Sequence, residues 1–133
     1  DVGGGLDWGL VDGFYAVERE GQVTYRWSGP AARLRFPRAG SGRPLELTLR
    51  LCGWRPAGET PAEVVVSMDD TEIGRLMATG EWREVALALP AVPAGEDVVI
   101  TLRSDTFLPG PRDLLTTGQL RLLGIMVDWG RLR

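Results

Sequence analysis

The chain contains no histidine, no lysine and no asparagine, and only one cysteine among its 133 residues. Each absence removes a class of function. Without histidine, neither a Ser–His–Asp nor a Cys–His nucleophile system can be assembled within the chain, and no histidine-bound zinc site exists. Carboxylate chemistry and oxygen-ligated metals are what remain. Cys52 has no partner for an internal disulfide. It follows a strand-like run and reads as a small buried hydrophobe rather than a reactive thiol. No apolar run approaches the ~18 residues that a membrane-crossing helix needs, and the first residues lack the pattern of a signal peptide. The net charge of −3 and pI near 5.0 oppose general nucleic-acid binding, which demands a strongly cationic surface. All 15 basic residues are arginine, a bias that GC-rich codon usage explains because Lys and Asn codons are AT-rich.

What is present is a series of short alternating segments punctuated by Gly, Pro and Asp, the pattern of an all-β chain. Nine strands are expected, near residues 13–18, 23–28, 32–37, 44–52, 62–68, 72–77, 82–89, 97–103 and 120–129. In "PLELTLRLC" Leu45, Leu47, Leu49 and Leu51 share one face. "REVALALP" turns Val85, Leu87 and Leu89 inward and leaves Trp82 on the other side, while "DVVITLR" does the same with Val98, Ile100 and Leu102. In "LRLLGIMVDWGRL" the apolar phase changes at Gly124, from Leu120 and Leu122 to Ile125, Val127 and Trp129, which suggests a β-bulge. Asp69 and Asp70 fall between two strands and read as a solvated hairpin turn. "RDLLTTGQL" is too short, and too interrupted by glycine, for a helix of three turns. The expected architecture is a single antiparallel β-sandwich of jelly-roll type over residues 12–133, entered by a linker-like segment, "DVGGGLDWG", within residues 1–11.

The stretch "FYAVEREGQVTYRW" concentrates four aromatic residues in fourteen positions. Val23, Tyr25 and Trp27 recur at period two and read first as a core row, with Tyr15 and Val17 pairing against it. If successive strands are antiparallel, alternate connections fall at opposite ends of the sandwich. One set ("EREGQ", "RAGSGR", "DDT", "AVPAGED") is short and free of aromatics. The other ("SGPAA", "GWRPAGETPAE", "ATGEW", "SDTFLPGPRDLLTTGQ") collects Trp54, Arg55, Trp82, Phe107, Arg112 and Asp113, with Arg26 and Trp27 just before it. Long loops on a rigid sandwich are where binding residues concentrate. A flat indole stacks on the C–H face of a pyranose, and a planar guanidinium holds vicinal hydroxyls, a uronate or a sulfate. Arg26, Trp54, Arg55, Trp82, Arg112 and Asp113 are therefore the candidate ligand-binding residues. The competing reading makes Trp54 and Phe107 a lid on the open end of the core, with Arg55 and Arg112 paired to acids. A carboxylate glycosidase would need Glu81 or Glu84 with Asp113 at a separation of ~5–9.5 Å.

The segments "GFYAVEREGQVTYRWSGPAARLRFP", "LTLRLCGWRPAG", "WREVALALP", "VVITLRSDTFLPG" and "RLLGIMVDWGRL" together resemble the galactose-binding-like, carbohydrate-binding-module-like jelly-roll domains of bacterial, Chloroflexi-type extracytoplasmic proteins. The resemblance runs from about Asp12 to the end. It implies a non-catalytic module outside the membrane, without membrane insertion or nucleic-acid contact. Its partner would be a glycan or, alternatively, a neighbouring domain of a larger membrane-associated protein, for which it would be a docking or spacer unit. In such domains the last strand reads Asp-x-Arg-x-Leu-Gly; here "QLRLLG" keeps Arg121 and Gly124 but has Gln119 in place of the acid. The resemblance also implies no cofactor beyond a structural calcium, for which Asp7, Asp12 and Asp128 are the candidate ligands.

Overall fold

The computed structural model describes residues 10–133. Their strands are β1 (Val11–Phe14), β2 (Glu18–Glu20), β3 (Val23–Phe36), β4 (Leu45–Cys52), β5 (Ala62–Met68), β6 (Thr71–Ala78), β7 (Arg83–Leu89), β8 (Val98–Ser104) and β9 (Met126–Leu132), with one short helix, α1 (Pro111–Thr117), before β9. No helix among these residues is long and apolar enough to cross a membrane.

All pairings are antiparallel. The strand order β6-β5-β8-β3-β9-β4-β7, with β1 and β2 also on β3, is one sheet folded back on itself. This is the expected jelly-roll sandwich, curled nearly into a barrel. β3 is the fold line. Its first half pairs with β2 and β9, its second half with β1 and β8. At the other seam β6 and β7 approach so closely that a Cβ on Gly74 would stand 2.8 Å from Leu87 Cδ2.

Period-two patterning explains the interior. Leu47, Leu49 and Leu51 of β4, Val64 and Val66 of β5 and Ile100 of β8 are fully enclosed between the layers. Neighbouring residues must then face outward. Cys52 and Met126 do so, joining Tyr25, Trp27, Phe107 and Leu123 in a second buried cluster. The Tyr25–Trp27 row is thus buried as expected, but on the outer face of the β2-β3-β9-β4-β7 layer rather than between the layers. Phe107 and Leu123 cover it from the connection between β8 and β9, where they form an isolated bridge. Val17 is exposed and takes no part.

Three local expectations need correction. "SGPAA" does not break the ladder: residues 23–28 and 32–37 form one continuous strand. That strand turns back on itself there, because its halves are antiparallel to β9 and to β8 and those two strands run in opposite directions. Gly29 and Pro30 mark the change of partner; proline supplies no N–H to a ladder there. Conversely, the single strand expected at 13–18 is split into β1 and β2, one for each half of β3. The segment 120–125 is not regular strand either. Leu120 is 74% exposed while Arg121 is 3% exposed, the reverse of the expected phase. Gly124 serves close approach rather than a bulge: a Cβ there would lie 2.3 Å from Ser104 Oγ and 2.4 Å from Ser28 Oγ. The register shift comes later, between Arg50 and Leu51 of β4, where β9 has Asp128 as its extra residue.

Candidate functional site

The connections after β4, β6 and β8 meet at one end of the sandwich, beside the outer-face row of Tyr25 and Trp27. Gly53 N–H donates to Thr79 O at 2.7 Å, the Trp54 ring meets Phe107 edge-on at 5.8 Å, and Trp82 tilts against Tyr25 at 5.7 Å. Between these rings opens a cleft of about 430 Å³. Tyr25, Trp27, Trp54 and Trp82 supply its aromatic surface, Cys52 and Met126 its remaining apolar surface, and Glu20 its one ionisable carboxylate. Trp54, 49% exposed, also borders a shallower depression of about 300 Å³ formed with the connection after β4. One indole therefore stands between two concavities.

The arginines lie differently from what the sequence suggests. Arg55 is bound into the protein: its guanidinium donates to the carbonyls of Trp54 at 3.0 Å, Gly124 at 2.6 Å and Asp105 at 2.7 Å. It also covers the Phe107 ring at 4.7 Å, and burial, only partly offset by Glu59 and Asp105, lowers its pKa. It pins the loops, as the lid reading anticipates. Arg26 follows Tyr25 on β3 and so faces the other side of the strand; its Nη1 donates to Tyr15 O at 3.0 Å. Asp113 is bidentate with Arg121, whose Nε donates to Oδ2 at 3.1 Å and whose Nη2 donates to Oδ1. Arg121 Nη1 donates in turn to Glu18 Oε2 at 3.0 Å. Burial works to lower the Arg121 pKa, but the bonds to Asp113 and Glu18 outweigh it and raise it. The role expected of an acid at Gln119 is filled from helix α1 and strand β2. Arg112 is exposed on α1, away from the cleft lining. Of the six candidates, only Trp54 and Trp82 line the cleft together.

Glu20 and Tyr25 are the cleft residues that sequence reasoning missed. Period-two patterning reads Tyr25 as core and the aromatic-free turn carrying Glu20 as remote from the cluster. No local signal finds either, because both reach the cleft through the pairing of β2 with β3 on the outer face of the β2-β3-β9-β4-β7 layer. Burial first, then the charges of Glu18 and Glu20, push the Tyr25 phenol pKa up against the opposing charge of Arg121. Burial likewise raises the Cys52 thiol, in keeping with an inert apolar role.

Of the calcium candidates, Asp7 lies outside the described residues. Asp12 is paired with Arg33 at 2.7 Å and Asp128 with Arg50 at 2.8 Å. No group of three His, Cys, Asp or Glu suited to a metal occurs among the described residues.

No protein-family model matches the chain, and no curated protein matches its sequence. Solved structures do match its fold. A family 35 carbohydrate-binding module from Clostridium thermocellum superposes with a TM-score of 0.58 at 12% identity, over 92% of this chain and 89% of that one. The C-terminal CBM6 of LamC, a marine laminarinase from Zobellia galactanivorans, gives 0.54 at 12% identity over the same shares. A GH115 4-O-methyl-α-glucuronidase with specificity for decorated arabinogalactans gives 0.53 at 14% identity, where 84% of this chain corresponds to 14% of the enzyme. The chain has the jelly-roll fold seen in carbohydrate-binding modules.

Proposed function

We propose that this domain is a non-catalytic module that binds glycan in the aromatic cleft. Trp54 and Trp82 act as stacking platforms, Tyr25 closes the back, and Glu20 accepts hydrogen bonds from sugar hydroxyls. The observation that carries this reading is Trp54: a large apolar ring half in water, at the edge of a concavity with other indoles and one carboxylate. Concave, mainly apolar surfaces with few polar groups are where small ligands bind, and an aromatic ring there offers contact area at low entropic cost. The fold's occurrence in carbohydrate-binding modules supports the same function. Such a module would work outside the cytoplasm, beside polysaccharide. Arg26, Arg55 and Asp113 have structural roles in this account, and Arg112 stands outside the contact.

The test is a broad glycan array with the folded domain, with and without calcium, repeated with Trp54→Ala. Reproducible binding to one glycan class that the substitution abolishes is the expected result. A blank array from folded protein would contradict it. That outcome would favour the second reading, docking against a neighbouring domain of a larger protein. One observation supports that alternative: Leu108, Leu114, Leu115, Leu120 and Leu122 are all exposed on the connection between β8 and β9, Leu115 by 86%.

A further inference from the structure

We propose that the aromatic cleft selects a positively charged ligand, with protonated amino sugars as the glycan class it fits, and disfavours uronates and sulfated sugars. The inference rests on the cleft being the glycan site, and it follows from the charges around that cleft.

The one ionisable carboxylate lining it is Glu20. It is exposed at the end of β2 and has no cationic partner among the described residues. Glu18, on the same side of that strand, is neutralised by Arg121 at 3.0 Å, so the unpaired charge at the cleft is that of Glu20. An acidic sugar would need a free guanidinium fork, and the neighbouring arginines are otherwise engaged. Arg50 pairs with Asp128 at 2.8 Å and stacks on Trp82 at 4.9 Å. Arg55 holds three carbonyls, and Arg83 donates to Met77 O at 2.6 Å. Arg121 is enclosed by Asp113 and Glu18. Arg19 alternates to the face of β2 opposite Glu20, and its Nε donates to Gly21 O at 3.0 Å.

The rings add to this selectivity. The faces of Tyr and Trp carry negative electrostatic potential, which attracts an ammonium and repels a carboxylate. Discrimination needs an unfavourable element against the wrong ligand as well as an attractive one for the right ligand. Glu20 and the exposed Trp54 face provide both, since Arg50 already covers a face of Trp82: attraction for an amine, repulsion for a uronate. The result reverses what the arginine-rich sequence of these loops suggests.

The experiment is isothermal titration calorimetry of the intact chain with three matched oligosaccharides: a β-1,4-linked glucosamine trimer, its fully N-acetylated counterpart, and a galacturonate trimer. Each is measured with the unaltered protein and with Glu20→Gln, at low salt and near 1 M salt. The amine form should bind about five- to twentyfold more tightly than the acetylated form, the size of a cation–π contact plus one carboxylate. That preference should shrink several-fold in Glu20→Gln and at high salt, where charges are screened within ~3 Å. The substitution should leave the melting temperature unchanged, since the carboxylate holds no partner.

Equal binding of the amine and acetylated forms would overturn the charge selectivity while leaving the glycan-site reading intact. So would tightest binding of the galacturonate. A preference undiminished by Glu20→Gln would overturn the role given to that residue. If none of the three binds, the amino-sugar inference falls, and the glycan array decides separately whether the cleft is a glycan site.

Discussion

Trp54 and Arg121 are the two side chains whose surroundings separate binding from support. Trp54 keeps half its surface in water while one edge rests on Phe107. Little packing is lost when it is removed, and much ligand contact is. Trp54→Ala should weaken glycan binding ten- to a hundredfold, as expected of an aromatic anchor, and shift Tm by only a few degrees in a thermal melt. A large fall in Tm with binding retained would make Trp54 a lid. Arg121 is the opposite case. Its side chain is 4% exposed and ion-paired with Asp113 and Glu18. Arg121→Ala would leave Asp113 without its cation in a poorly hydrated place, at a cost of about 2–4 kcal/mol, measurable by chemical denaturation. Arg112→Ala, on the exposed side of α1, should change neither binding nor stability.

The elements show why some of the structure was readable and some was not. β4, β5 and β8 announce themselves because each buries one face, so Leu47, Leu49 and Leu51 had to repeat at period two. β3 misleads because the Gly29-Pro30 turn, correctly signalled by its chemistry, does not end the strand: pairing resumes on both sides of it in different layers. The segment before β9 misleads for another reason. Its leucines keep an alternating pattern, yet Arg121 is drawn inward by acids distant in sequence, an attraction that local periodicity does not encode. Gly124 belongs to this crossing. Gly124→Ala would drive a methyl into the Ser28 and Ser104 hydroxyls and should cost about 1–3 kcal/mol, read from the denaturation midpoint. At the plain end, Asp97 accepts from the Arg38 backbone N–H and from Arg35, which together lower its pKa from 3.8. A lowered carboxylate stabilises the fold above its unfolded pKa and loses that contribution as pH falls through the folded value. Asp97→Asn should therefore flatten the loss of stability below about pH 4, in melts recorded across that range.

At the scale of the whole molecule, the all-β jelly-roll was legible from alternation and turn spacing. The location of the candidate site was legible only in part. Trp54, Trp82 and Phe107 were placed near one another because each loop's end depends only on the strand count after it. Glu20 and Tyr25 were not, because they reach the cleft from the outer face of β2 and β3, a placement that counting loops does not address. Their arrival turns an expected set of arginine fingers into an aromatic cleft with a carboxylate at its edge. The arginines, meanwhile, hold the loops that shape it.

The most direct test of this account follows the backbone amide and indole N–H resonances of the labelled protein during titration with the glycan that binds best on the array. The account predicts saturable shifts of the Trp54 and Trp82 indoles and of the Glu20 amide. The amides of Asp69 and Asp70, at the opposite end, should stay in place. Binding that leaves both indoles unmoved, or that shifts only the amides of α1, would contradict it.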